Sequence, residues 1–262
     1  VCVDSDYSKF TNPINGAINR LNGAKKTLPN FPHTELINAN IIKPFTVEEQ
    51  EEVIQNNSTE NKQLISKYLN EKYDCINLLN VLQYVMKDEE SFNILCENLN
   101  KVMKENTIII LICPDSELIN KELKDKENYK QSVFKNNSDI LIHDIVKKYD
   151  DKQKLFKTGN MIEVFDAIEN NNYIPEYLVD KDYIIPEFEK RCNLKLVESD
   201  VFENIYNNMK DYLMTSSEID SEIKTRTYFN QKIIKFYIDT PDNVECRKIL
   251  FLYRYYVFIK VK

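Results

Sequence analysis

The stretch from Lys72 to Ser116 constrains the fold more than any other. The run that starts at Tyr73-Asp74-Cys75-Ile76-Asn77-Leu78-Leu79 is apolar and bounded by charge, as a buried strand is. Thr107 to Ile112 is a second apolar run, β-branched and without alternation, which suits a parallel strand covered on both faces. Between the two, Phe92, Leu95, Leu99, Val102 and Met103 recur at helical spacing. Strand, helix and strand in this order predict a right-handed crossover unit in an open α/β sheet. Ligands in such sheets sit beyond the carboxyl ends of the strands. Here those ends carry Asn80, Gln83 and Tyr84 after one strand, and Pro114, Asp115 and Ser116 after the next.

The flanking segments extend the pattern. Val1-Cys2-Val3-Asp4 reads as a strand closing on an acid, with a helix from about Thr11 to Leu21 after it. A carboxylate at such a strand end can hold a ribose diol; the alternative is that Asp4 only starts a turn. Glu35 to Ile42 is another strand candidate ending near Asn40, whose amide could read a base edge or simply serve a turn. Thr46 with Glu49 forms a capping box that opens a polar helical stretch. Glu117 to Leu123, Tyr183 to Arg191 and Phe202 to Leu213 read as helices, and Met161 to Phe165 and Leu194 to Val197 as strands. Residues 124–151, rich in Lys, Asp and Asn, read as an insertion or lid. In Pro175-Glu176-Tyr177-Leu178-Val179 a glutamate opens an apolar run; it is either an exposed edge residue or a buried acid with a partner. The aromatic run Ile249 to Val261 predicts a closing strand in an antiparallel edge hairpin.

Composition narrows the chemistry. A net charge of -7 argues against a protein that coats nucleic acid by neutralising phosphates, though a pocket for one nucleotide is compatible with it. No apolar run approaches the roughly 20 residues of a membrane span. The six cysteines form no CxxC pair and mostly sit in apolar runs, as buried free thiols of a reducing compartment do. With two histidines and no ligand spacing, a metal site is not expected. Gly16, Gly23 and Gly159 do not make a glycine-rich phosphate loop.

Five collinear motifs resemble the mRNA cap guanine-N7 methyltransferases. They are Val1 to Asp6, Ala39-Asn40, Tyr73 to Tyr84, Ile112-Cys113-Pro114-Asp115-Ser116 and Pro175 to Val179, with the aromatic strand through Tyr255-Tyr256-Val257-Phe258 close behind. Thr225 to Phe229 also resembles a segment of the poxvirus capping enzyme's methyltransferase domain. The resemblance implies an α/β fold: a Rossmann-like class I methyltransferase sheet with a terminal antiparallel hairpin. Residues 1–262 would form a single methyltransferase domain that lacks its first strand and glycine loop.

The resemblance also implies S-adenosyl-L-methionine as cofactor, with Asp4 on its ribose, Asn40 at its adenine and Leu79 beside it. The 5'-capped mRNA end, GpppN, would be the substrate. Glu176 would accept from the guanine N1 and N2 edge, Tyr84 and Tyr255 would stack, and Pro114 would wall the pocket. Asn80 and Gln83 stand where the family has an aromatic residue and a histidine. Glu176 and Tyr84 are the expected catalytic residues. Other domains or subunits of a capping or transcription complex would be partners, in the nucleus or cytoplasm, or in a virion or viral factory. A degenerate methyltransferase fold serving as a structural or stimulatory subunit, and a class I methyltransferase for a small molecule or another nucleic-acid site, are the competing readings. An intact Gly-x-Gly turn ahead of Val1 would favour an enzyme.

Overall fold

The computed structural model describes residues 1–12, 16–27, 32–135, 138–150, 157–167, 172–219 and 239–262. The Thr225–Phe229 motif lies outside the described residues.

The crossover unit forms as expected. Strand β3 (Tyr73–Leu79) leads through the short helix α5 (Leu82–Val85) and helix α6 (Glu89–Val102) into β4 (Met103–Pro114), parallel to β3. Helix α6 starts where the Asp88 carboxylate caps the Ser91 N–H at 2.7 Å. It buries Phe92, Leu95, Cys96 and Leu99, the stripe its spacing predicts. The last strand, β10 (Tyr253–Lys260), runs antiparallel to β4 on one side and to β9 (Leu194–Val201) on the other. The sheet order is therefore β3-β4-β10-β9. The antiparallel pair expected at the end of the chain is present, but its final strand lies inside the sheet and β9 holds the edge.

One face of this sheet packs on α5, α6 and α8 (Lys181–Cys192), with Ile109, Leu111, Tyr256 and Phe258 fully buried among Phe92, Ile184 and Phe188. Cover on both faces was expected for Thr107 to Ile112. Among the described residues the second face is only partly covered, and Ile108 remains 42% exposed. At its carboxyl end that face receives α7 (Ser116–Glu122) and a second sheet.

Residues 124–151, expected as an insertion or lid, open a second sheet. There β5 (Asn128–Lys135) and β6 (Ser138–Lys147) pair as a hairpin and continue through β7 (Met161–Asp166) to β8 (Tyr173–Tyr177) in an antiparallel meander. The apolar island at Ile140 to Val146 is the middle of β6, and Ile145 packs with Ile162, Ile119 and Leu252. The meander thus delivers Glu176, on β8, to the carboxyl end of β4.

A separate parallel pair, β1 (Cys2–Asp4) with β2 (Leu36–Asn38), carries the amino-terminal motifs. Helices α1 (Ser8–Thr11) and α2 (Ala17–Thr27) follow β1, and α3 (Val47–Glu51) and α4 (Thr59–Tyr68) follow β2. Thr46 caps α3 through Glu49 N–H, as the sequence predicts. This pair joins the main body through a core of Ile37, Ala39, Phe45, Ile65 and Val102. Helices α9 (Phe202–Ile219) and α10 (Pro241–Leu250) lie between β9 and β10 in the chain. No helix among the described residues is long and apolar enough to cross a membrane.

Candidate active site

Strand β3 ends on a backbone turn that aims its next residues outward. Asn80 adopts a positive φ of 54°, a region that asparagine tolerates better than other side chains with a Cβ. Its N–H still bonds to the Ile112 carbonyl at 2.9 Å, so the turn hangs directly from the end of β4. Leu79 just before it is 54% exposed. In α5, which follows, Leu82, Gln83 and Val85 turn inward. Gln83 is therefore a buried residue, and Tyr84 projects outward from the same turn.

The Tyr84 hydroxyl donates to Oε1 of Glu176 at 3.1 Å across 92 residues of sequence. Glu176 is only 9% exposed. It is the buried, partnered acid of the two alternatives, since a carboxylate taken from water needs such bonds to stay charged. Glu176 pairs with Ile162 on β7, and its side chain enters a narrow cleft lined also by Pro114, Tyr253, Ile162 and, along β6, His143 and Ile145. The cleft has room for little more than a water molecule.

The structure brings Tyr84, Pro114 and Glu176 together and leaves Tyr255 elsewhere. Tyr253 and Tyr255 share one face of β10, but Tyr253 lies opposite Pro114 while Tyr255 lies opposite Ile112. Tyr255 donates instead to the Glu198 carboxylate on β9, which pushes its own pKa up to about 12. The aromatic wall of the cleft is thus Tyr253. The resemblance marked Tyr255; the register of β10 on β4 puts Tyr253 beside Pro114 in its place. His143 was legible as nothing more than one polar residue in the island of β6.

Asp4 ends β1, and Asn40 lies two residues past the end of the parallel strand β2. Asp4 Oδ1 accepts from Asp6 N–H at 2.9 Å, and Asn40 Oδ1 accepts from Ile42 N–H at 3.1 Å, so each closes a turn. Three buried amides hold these turns. Asn38 donates to the carbonyls of Asp4 and Ser5, both at 2.9 Å. Gln50 bonds both backbone groups of Asn40. Asn98 of α6 donates to the carbonyls of Ile41 and Lys43 and accepts from Phe45 N–H. A carboxylate, an amide and the exposed Leu79 thus stand at strand ends, a donor set that suits a nucleoside: polar groups for a sugar and base edge, an apolar side chain for a ring face. No group of three or more metal-ligating side chains occurs among the described residues.

No family model matches the chain. Over 99% of its length, however, it is 33% identical to a probable mRNA-capping enzyme of Acanthamoeba polyphaga mimivirus. The chain is a homologue of part of that capping enzyme. It spans 23% of the relative's length. Among solved structures, an S-adenosylmethionine-dependent methyltransferase from Clostridium acetobutylicum aligns over 99% of this chain and 74% of its own, at 10% identity and a TM-score of 0.48. The CcbJ methyltransferase from Streptomyces caelestis aligns over 72% of this chain and 61% of its own, at 8% identity and a TM-score of 0.37.

Proposed function

We propose that this chain is the guanine-N7 methyltransferase region of an mRNA-capping enzyme, taking its methyl group from S-adenosylmethionine. The Tyr84–Glu176 hydrogen bond beside Pro114 carries the reading. A buried carboxylate acceptor beside Pro114 and Tyr253, in a homologue of part of a probable capping enzyme, supports it. The cofactor would be held by Asp4, Asn40 and Leu79, and when bound would supply a methyl carbon activated by a sulfonium. Transfer would form the N7–carbon bond as the carbon–sulfur bond breaks, the sulfur leaving as a neutral thioether. The nucleophile is a lone pair with no proton to lose, so no general base is needed.

Glu176 accepts from the guanine N1 and N2 edge. As the ring gains positive charge its N–H groups become stronger donors, so the bond tightens toward the transition state. Tyr84 holds the carboxylate, and Pro114 and Tyr253 hold the ring plane. Alignment of nitrogen, carbon and sulfur can contribute roughly 7–11 kcal/mol.

The test is methyl transfer from labelled S-adenosylmethionine to GpppA-capped RNA by the full-length protein, with the product digested to the cap dinucleotide. Label at N7 of the guanine supports the reading; label at a ribose or at adenine contradicts it. A second reading, a non-catalytic methyltransferase fold that supports a capping complex, draws on the inward turn of Gln83 and on Asn80 in place of a stacking aromatic. It predicts neither transfer nor cofactor binding.

A further inference from the structure

Pro114, Glu176 and Tyr253 come from three segments far apart in sequence, and one residue touches all three segments. Asp115 follows Pro114 directly. Its N–H donates to the Leu252 carbonyl at 2.7 Å, one residue before Tyr253. It also forms an isolated parallel bridge to Val179, three residues after Glu176, beside the Ser116 N–H bond to the Val179 carbonyl at 3.3 Å. Its side chain, 2% exposed, caps α7 through Leu118 N–H at 3.0 Å and takes an ion pair from Arg254 Nε, one residue after Tyr253. The Arg254 side chain is itself 15% exposed, so the pair is largely withdrawn from water. The same residue therefore ties the end of β4, the exit of β8 and the start of β10.

We propose that the Asp115–Arg254 pair is the positioning clamp of the guanine cleft, setting the spacing of Pro114 and Tyr253 about Glu176. The inference rests on the guanine-N7 reading and names the residues that make its pocket specific. Neither side chain lines the cleft; both act through the backbone of the residues that do. A buried charge pair suits this role because its geometry is narrow, and because a shift of about 1 Å in a positioned group can cost about a hundredfold in rate.

The experiment compares full-length wild type with Arg254→Lys and with the neutral pair Asp115→Asn/Arg254→Gln, which retains an acceptor for Leu118 and leaves no charge stranded. KM is measured separately for GpppA-capped RNA and for S-adenosylmethionine, beside a thermal melt. The clamp predicts KM for the capped RNA raised about tenfold or more, from misplacement well under 1 Å. It also predicts KM for S-adenosylmethionine within about twofold of wild type, and a cooperative melt in the neutral pair. Capped-RNA KM unchanged in a folded variant, or both KM values raised alike, overturns the clamp while leaving the guanine reading intact. Loss of the cooperative melt in both variants assigns the pair to folding alone and equally overturns it. A wild type that transfers no methyl to guanine removes the reading and the clamp together.

Discussion

Under the proposed function Glu176 and Tyr84 would divide the work in the cleft, and single substitutions would separate their shares. Tyr84→Phe removes one hydrogen bond to a carboxylate, an interaction worth about 1.5–3 kcal/mol. We expect KM for capped RNA to rise by about tenfold or more in that variant, with kcat less affected, as steady-state kinetics would show. Tyr253→Ala should cost more than Tyr255→Phe, because Tyr253 faces Pro114 and Tyr255 faces Glu198; equal losses would return Tyr255 to the site. Tyr255 has its own signature. The Glu198 hydrogen bond holds its phenol protonated up to about 12, above the unfolded value near 10. Whatever stability this bond adds is present below about pH 10 and is lost as pH rises through about 12. The difference in melting temperature between wild type and Tyr255→Phe should therefore be constant near neutrality and shrink across that alkaline window.

At the scale of elements, the crossover unit was legible because each part follows a local rule. The stripe on α6 has the helical period, Asp88 can cap it, and the two apolar runs have strand length. Asp88→Ala should cost about 1 kcal/mol in chemical denaturation at neutral pH. Burial raises the Asp88 pKa, but the Ser91 N–H and Lys87 outweigh it and leave it lowered. The cost should hold above the ordinary carboxylate range and fade as pH falls through the lowered value. Asn80 makes a second element-level prediction. Its left-handed backbone should accept glycine with little loss, whereas Asn80→Val should cost about 1–2 kcal/mol. What was not legible was the meander. Residues 124–151 are rich in Lys, Asp and Asn around a single apolar island, so they carry the composition of a loop although they pair as a hairpin. The register that selects Tyr253 over Tyr255 is likewise set by β10 entering between β4 and β9, which no local rule encodes.

For the whole molecule, the site is a product of convergence. The strand ends of the main sheet supply Pro114 and Tyr253, the turn after β3 supplies Tyr84, and the meander supplies Glu176. Motifs singled out Glu176, Tyr84, Pro114 and Asp115 in the sequence, while Arg254 and Tyr253 became visible only with the segments assembled. The central claim is that Glu176 reads guanine. Its most direct test is methyl transfer from labelled S-adenosylmethionine to GpppA-capped RNA by the full-length protein beside its Glu176→Ala variant. The account predicts a wild type that labels guanine N7 and a folded variant slower by about a hundredfold or more. A variant as active as wild type would contradict the claim and move the guanine pocket away from Glu176.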